Sequence, residues 1–543
     1  MSISLLSFKP GHDGSIAYIA DKRLVFSYEA EKDSFPRYYP TTPDLLVQAG
    51  ALVDATPDVI CISGWIKGFH SVETPLSAGY YGFDHSHTQI SKTRFFGKEL
   101  EVFSSTHERS HIMCGYGLSP FEQGEPCYVL VWEGNIGDFY EVDEAVTVHH
   151  LGRVLEDPGN KYSFLFSIGD PKFPPLKAHH RFEDAGKLMA LAAFSDRKPA
   201  TDEERELIES ILAKKSILLS TSKHEFRDYQ VYNAGVESDI FKNVAGKFSD
   251  ALFDRFYRFA KDHLPKRLPL IITGGCGLNC EWNSKWRDCG LFRDVFVPPC
   301  TNDTGSAIGT AVDAQLYYEH NAKISWTVYS GQEFEDDMPV GAPYVKQEFS
   351  YSAIADFLSS NRVLAWVQGR CEMGPRALGN RSILASPLDP QMHKRLNQIK
   401  EREAYRPIAP VCLESEAARI STSGLPSPHM LYFYSITTSA LPAITHCDGS
   451  ARLQTVTEDD NGRLFGLLQA FKQKTGFGVL CNTSLNFKGR GFINRTSDLF
   501  AYCDDKLIDG IVIGDQFYVR CDVDSIYSSE QDITESESVT TVA

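Results

Sequence analysis

The sequence predicts an α/β protein made of two successive units. Three features carry that reading. The chain has 543 residues, too many for one ordinary core. Short apolar runs of strand length alternate with segments of helical periodicity. A stretch at residues 331–343, rich in acidic residues, Gly and Pro, breaks the pattern before a second α/β series begins.

Residues 3–8 are short and apolar and predict the first strand. Residues 15–19 and 24–28 predict a hairpin turning at Asp21 and Lys22. Residues 59–63 and 128–132 read as buried strands. Thr201-Asp202-Glu203-Glu204 has the pattern of a capping box and opens a helix to about Lys215. Residues 241–263 have helical periodicity, and residues 270–273 form a strand leading into Gly274-Gly275-Cys276-Gly277. A helix follows Asp303. Beyond the linker, residues 363–367, 479–481 and 510–513 predict strands. No short-period repeat is visible.

Composition narrows the classes of function. Hydrophobic residues make up 42% and charged residues 23%, a globular balance. The net charge of −17 argues against a general affinity for nucleic acid or anionic membranes. A local basic pocket for phosphates is still compatible with it. Thirteen Cys without zinc-type CxxC pairs suggest reduced thiols and a cytoplasmic setting. The first residues lack the basic flank and apolar core of a signal peptide, and no 18-residue apolar stretch predicts a membrane span. Residues 526–543 are acidic and Ser/Thr-rich, and are expected to be disordered.

His107 and His111 stand four apart, which puts both imidazoles on one helical face. The intervening residues also match His-Glu-x-x-His formally, a zinc-peptidase pattern. Asp303 heads a small-residue run and reads as an N-cap or, with the two histidines, as the carboxylate of a His-His-carboxylate site for Fe(II) or Zn(II). Gly11-His12-Asp13-Gly14 and the Gly274–Gly277 loop are tight turns able to approach a ligand closely. In the second unit Arg370, Arg376, Arg381, Lys400, Arg402 and Arg406 are concentrated in an otherwise acidic chain. Gly-Pro-Arg at Arg376 and Arg-Pro at Arg406 restrain the backbone, and guanidinium groups held this way suit phosphate oxygens. The polar loops around Arg452 and around Asn482 and Ser484 add donors for a nucleotide.

Taken together these blocks resemble the O-carbamoyltransferases of the nodulation, tobramycin and cephamycin pathways. The resemblance runs from His12 to about Phe517 and is strongest at residues 369–384, 406–410, 446–456 and 475–486. The start at Phe8-Lys9-Pro10-Gly11-His12 and the block around His107 look closest to the 3-hydroxymethylcephem branch. The resemblance implies an actin-like ATPase-type domain at residues 1–335, related to threonylcarbamoyl transferases. It implies a second α/β domain at residues 344–525, like the enzymes that make threonylcarbamoyl adenylate. It further implies that ATP with Mg(II) and carbamoyl phosphate yield carbamoyl adenylate, and that a metal-bearing site, Fe(II) by resemblance, passes the carbamoyl group to a hydroxyl of a small-molecule natural product.

By the same resemblance His107, His111 and Asp303 are metal ligands, and His12 is the base at the transfer site. Arg370, Arg376, Arg406, Arg452, Asn482 and Ser484 hold carbamoyl phosphate or ATP. Gly275, Asn279 and Asn283 seat the adenylate. Relatives often carry Asp-Gly where this chain has Glu133-Gly134, so Glu133 is a fourth candidate ligand with a longer side chain. A sugar-kinase-like ATPase, a zinc peptidase and a non-catalytic metal- or nucleotide-binding protein are the competing readings.

Overall fold

Two sheets in the first part of the chain repeat one plan. In the computed structural model, which describes residues 3–521 apart from 54, 66–76, 96, 175–180 and 219, the first sheet holds β1 (Leu5–Lys9), β2 (Ser15–Ala20), β3 (Arg23–Glu29), β4 (Val59–Ser63), β5 (Gln89–Phe95) and β6 (Lys98–Ser105). Its order is β3-β2-β1-β4-β6-β5, with β4 parallel to β1 and β6 parallel to β4. The second holds β7 (Cys127–Trp132), β8 (Gly137–Val142), β9 (Val148–Arg153), β10 (Leu270–Thr273) and β11 (Val295–Phe296). Read as β9-β8-β7-β10-β11, it is again an antiparallel meander followed by two parallel strands. This duplicated mixed sheet agrees with the expected actin-like ATPase-type architecture. The expected tail at residues 526–543 lies outside the described residues.

The hairpin appears as expected. Asp21 and Lys22 both take positive φ (50° and 57°), the primed turn that suits the twist of adjoining strands. The capping box at Thr201 is formed and its helix runs Asp202–Leu212. The long helix begins slightly earlier than expected, at Asp239, because the Ser238 side chain caps it.

Two helices join the sheets. His107–Leu118 follows β6, and Ser306–Glu319 follows the second sheet but packs back on β1, β2 and β4 of the first. Their contact requires Gly309, since a Cβ there would lie 1.8 Å from the Ser110 carbonyl oxygen. Arg109 clamps the pair through a buried two-point bond to Asp313, at 2.8 and 2.7 Å.

The later part of the chain builds β12 (Tyr344–Gln347), β13 (Val363–Val367), β14 (Arg381–Ala385), β15 (Ala409–Leu413), β16 (Phe433–Ser435), β17 (Ser450–Arg452), β18 (Gln454–Val456), β19 (Val479–Ser484), β20 (Gly510–Ile513) and β21 (Gln516–Arg520). Eight of them form one mixed sheet, β12-β21-β20-β13-β14-β19-β15-β18, while β16 and β17 make a ribbon. Among the described residues no helix is long and apolar enough to cross a membrane.

Candidate active site

The metal candidates lie at the start of the helix His107–Leu118. Thr106 caps it, its hydroxyl accepting from Arg109 N–H at 3.1 Å. His107 and His111 then fall one turn apart on the face turned to Asp303 and Glu133. Their Nε2 atoms are 3.2 Å apart. Glu133 Oε2 lies 3.3 Å from His107 Nε2, and Asp303 Oδ1 3.3 Å from His111 Nε2. All four ligand atoms are within 4.8 Å of one another, and all four residues are buried.

This donor set fits a metal ion. Two imidazole nitrogens that face each other so closely cannot both carry hydrogen. Burial holds the His107 imidazole below its ordinary pKa, against the pull of Asp303 and Glu133, which favours the neutral form that binds metal. Burial pushes the Asp303 carboxyl up, but Lys9, His107 and His12 outweigh it and hold it well below the usual carboxylate range. Lys9, fully buried, is 3.2 Å from Asp303 Oδ2. Two carboxylates against one ammonium leave an anionic pocket suited to a cation. Glu133 stands with the other three ligand candidates, so its extra methylene is accommodated.

His12 adjoins this cluster. Its Nδ1 is 2.9 Å from Asp13 Oδ2 and 3.8 Å from Asp303 Oδ2. Asp13 in turn accepts from Asn302 at 3.3 Å. With Nδ1–H given to Asp13, Nε2 is the nitrogen free to take a proton. The imidazole is about one-third exposed and sits among the rings of Trp65 and Phe182, with centroids at 5.0 and 5.2 Å.

The second chamber is cationic. Burial, then Arg452, Arg37 and Arg406, push the Arg376 guanidinium down to about 9. Arg402 is also lowered to about 9, by burial, Arg406 and Arg452. Nε of Arg376 and of Arg452 is buried without a hydrogen-bond partner among the described residues. Guanidinium groups stay protonated near neutral pH, so these shifts record first burial and then mutual repulsion, both of which a bound anion would offset. The loop bearing Arg376 is tightly built. The Glu372 carboxylate accepts from N–H of Leu378 and Asn380 at 2.7 and 2.8 Å. Gly374 has φ +82°, and a Cβ there would lie 2.2 Å from the Pro299 carbonyl oxygen. Lys32 donates to the Gly374 carbonyl at 2.7 Å, and Glu29 accepts from its N–H.

The cationic cluster touches the first part of the chain. Arg376 Nη2 donates to the carbonyl of Leu278 at 3.0 Å, within the glycine-rich loop of the first part. Gly275 has open space where a side chain would stand. Asn279 caps the helix Cys280–Asp288 through Oδ1, and its Nδ2 is buried without a partner among the described residues.

Two family models match this chain. "Carbamoyltransferase N-terminus" matches residues 86–312 and "Carbamoyltransferase C-terminus" matches residues 355–520. The 3'-hydroxymethylcephem-O-carbamoyltransferase of Amycolatopsis lactamdurans is 45% identical over 95% of this chain and 99% of its own. The chain belongs to the carbamoyltransferase family. It is therefore an enzyme, a transferase of carbamoyl groups. The Streptomyces clavuligerus protein of the same description is 46% identical over 95% of this chain and 99% of its own. Nodulation protein U of Rhizobium tropici is 34% identical over 93% and 94%. The crystal structure of full-length HypF in the phosphate- and nucleotide-bound form shares 14% identity and a TM-score of 0.33, over 59% of this chain and 56% of that one, a likeness too slight to carry weight.

Several expectations for this carbamoyltransferase change. Arg370 was expected among the phosphate ligands. All three of its guanidinium nitrogens instead donate to main-chain carbonyls, of Gly331, Val25 and Ser330, each at 2.8 Å. It pins the linker to β3. Arg381 and Lys400 are likewise engaged with carbonyl and amide oxygens. Asn283 is fully buried and donates to the carbonyls of Gly277 and Leu431 at 2.7 and 3.0 Å, so it holds the glycine loop from behind. Asn482 donates to Ala377 and Gln454, with Oδ1 left unpartnered among the described residues, and Ser484 donates to Asn486 at 2.5 Å.

The zinc-peptidase reading also fails on geometry. Glu108 accepts from Tyr140 and from the Gly82 N–H and takes no place in the metal cluster. Sequence reasoning missed Lys9 and Tyr80. A lysine ending a buried strand was the available signal for the first; Tyr80, in a loop, offered none.

Proposed function

We propose that this carbamoyltransferase is an ATP-dependent O-carbamoyltransferase acting on a hydroxyl of a small molecule, a 3-hydroxymethylcephem as in the two relatives of nearly half-identical sequence. Residues 1–335 are the transfer unit and residues 344–525 the activating unit, of threonylcarbamoyl-adenylate-synthase type. The observation that carries this reading is the Arg376–Leu278 contact, which sets the cationic chamber against the glycine loop.

In the cationic chamber Arg376, Arg406 and Arg452 hold carbamoyl phosphate and the phosphates of ATP·Mg(II), and Asn482 and Ser484, whose hydrogens are already donated, line the same site. Water cleaves carbamoyl phosphate to carbamate and inorganic phosphate, which departs; a carbamate oxygen then attacks the α-phosphorus of ATP, and pyrophosphate leaves. A free carbamate is a poor donor because it would expel hydroxide, whereas the carbamoyl adenylate expels AMP. Gly275 and Asn279 then receive the adenylate across the shared wall, away from bulk water. His107, His111, Asp303 and Glu133 would hold the metal, Fe(II) or Zn(II), whose chemistry when bound is to polarise the acyl oxygen. His12 Nε2 takes the proton of the acceptor hydroxyl as its oxygen bonds to the carbamoyl carbon and the bond to AMP breaks.

Labelled carbamoyl phosphate, ATP and a panel of hydroxyl acceptors test the reading, with product mass and AMP release followed together. Stoichiometric AMP with a carbamoylated cephem is expected. ADP without use of carbamoyl phosphate would favour a kinase. His12→Ala should lower transfer by about 10²–10⁴-fold, the usual worth of a general base, while ATP–pyrophosphate exchange persists. Equal loss of both half-reactions would count against separate sites.

A further inference from the structure

We infer that Tyr80 is a positioning residue for the metal centre, fixing Glu133 as a one-oxygen ligand through a one-way chain of hydrogen bonds. The inference rests on the proposed role of Glu133 as a ligand. The Tyr80 ring lies nearly flat on His107, with centroids 4.3 Å apart and planes at 20°. Its hydroxyl donates to Glu133 Oε1 at 2.5 Å. The other oxygen, Oε2, is the one that faces His107 and His111, at 3.3 and 3.8 Å.

The phenol does not act alone. Asn160 Nδ2 donates to Asn135 Oδ1 at 2.8 Å, and Asn135 Nδ2 donates to the Tyr80 oxygen at 3.3 Å. Each group passes a hydrogen toward the carboxylate. With Asn135 donating to the phenol oxygen, the phenol hydrogen is directed to Glu133, and such aligned chains strengthen one another. A carboxylate with one oxygen held this way presents the other to a cation. Glutamate reaches both the phenol and the imidazoles from this backbone position. Partners of this kind that orient metal ligands commonly set affinity as strongly as some ligands do.

The test uses the full chain and Co(II) as probe, reading visible absorption and affinity in competition with a chelating dye. Tyr80→Phe keeps the ring on His107 and removes the hydroxyl alone. It should weaken Co(II) binding by about 10–100-fold and shift the ligand-field bands. Asn135→Ala touches neither the imidazole nor the carboxylate, and should weaken binding in the same direction by less; it carries the test if Tyr80→Phe does not fold. Glu133→Asp should not recover wild-type affinity. Binding by Tyr80→Phe within twofold of wild type, with an unchanged spectrum, overturns the inference while leaving the metal reading intact. A wild-type chain that takes up no Co(II) overturns the metal reading and this inference with it.

Discussion

Asp303→Asn is expected to slow carbamoyl transfer about a thousandfold and to weaken the fold. The substitution keeps the shape of the side chain and removes its charge. Asp303 meets His111 at 3.3 Å on one oxygen and Lys9 at 3.2 Å on the other. Losing the metal's polarisation of the acyl oxygen, worth several kcal/mol, should slow transfer by about a thousandfold. Lys9 is also left buried without its carboxylate, and breaking a buried pair of this kind costs about 3–5 kcal/mol. Because the Asp303 carboxyl is held below its ordinary pKa of 3.8, its stabilising contribution is present above that pH and fades on acidification. The variant should therefore lose thermal stability at neutral pH, and the gap to wild type should narrow as pH falls below about 4. Metal content, transfer rate and melting temperature against pH read all of this. An Asp303→Asn variant that kept its metal and its rate would remove Asp303 from the centre.

Arg376→Ala should have opposite effects on stability and activity. Burial disfavours the Arg376 charge most, and Arg452, Arg37 and Arg406 add their repulsion. Its removal forfeits one hydrogen bond to the Leu278 carbonyl, worth about 0.5–1.5 kcal/mol, and relieves the cationic cluster. The ligand-free variant should melt at or above the wild-type temperature. Its adenylation rate, followed by ATP–pyrophosphate exchange, should fall about 10²–10³-fold, the scale of losing one preorganised donor to a developing anion. ATP with carbamoyl phosphate should raise the wild-type melting temperature and raise the variant's far less. A variant that melted several degrees lower yet exchanged pyrophosphate normally would make Arg376 a structural residue only.

Parts of this centre are legible in the chain before any coordinates. Four-residue spacing puts His107 and His111 on one face because the helix repeats every 3.6 residues. Gly-Pro before Arg376 marks a restrained loop, and the structure shows that restraint at Gly374. Asp303, far along the chain, could be read either as an N-cap or as the carboxylate beside the histidines, since residues so distant share no local pattern. Composition could not sort one cation from another. Arg370 and Arg376 are six apart in one loop, yet the first donates to three carbonyls while the second keeps an unpartnered Nε.

The duplicated sheet was equally hidden. The two meanders share strand order and direction but no short-period repeat of residues. Main-chain pairing defines such a plan, and many different apolar side chains can fill it.

By itself the amino-acid order settled the α/β alternation, the hairpin, the capped helices and the pairing of two imidazoles. These follow from local periodicity and backbone preference, which act over a few residues. Only the tertiary structure decided that Lys9, Tyr80, Glu133 and Asp303 surround those imidazoles, and which arginines keep donors available for an anion. Such choices depend on which distant main-chain oxygens and charges arrive alongside a side chain, and chain order carries no local record of that.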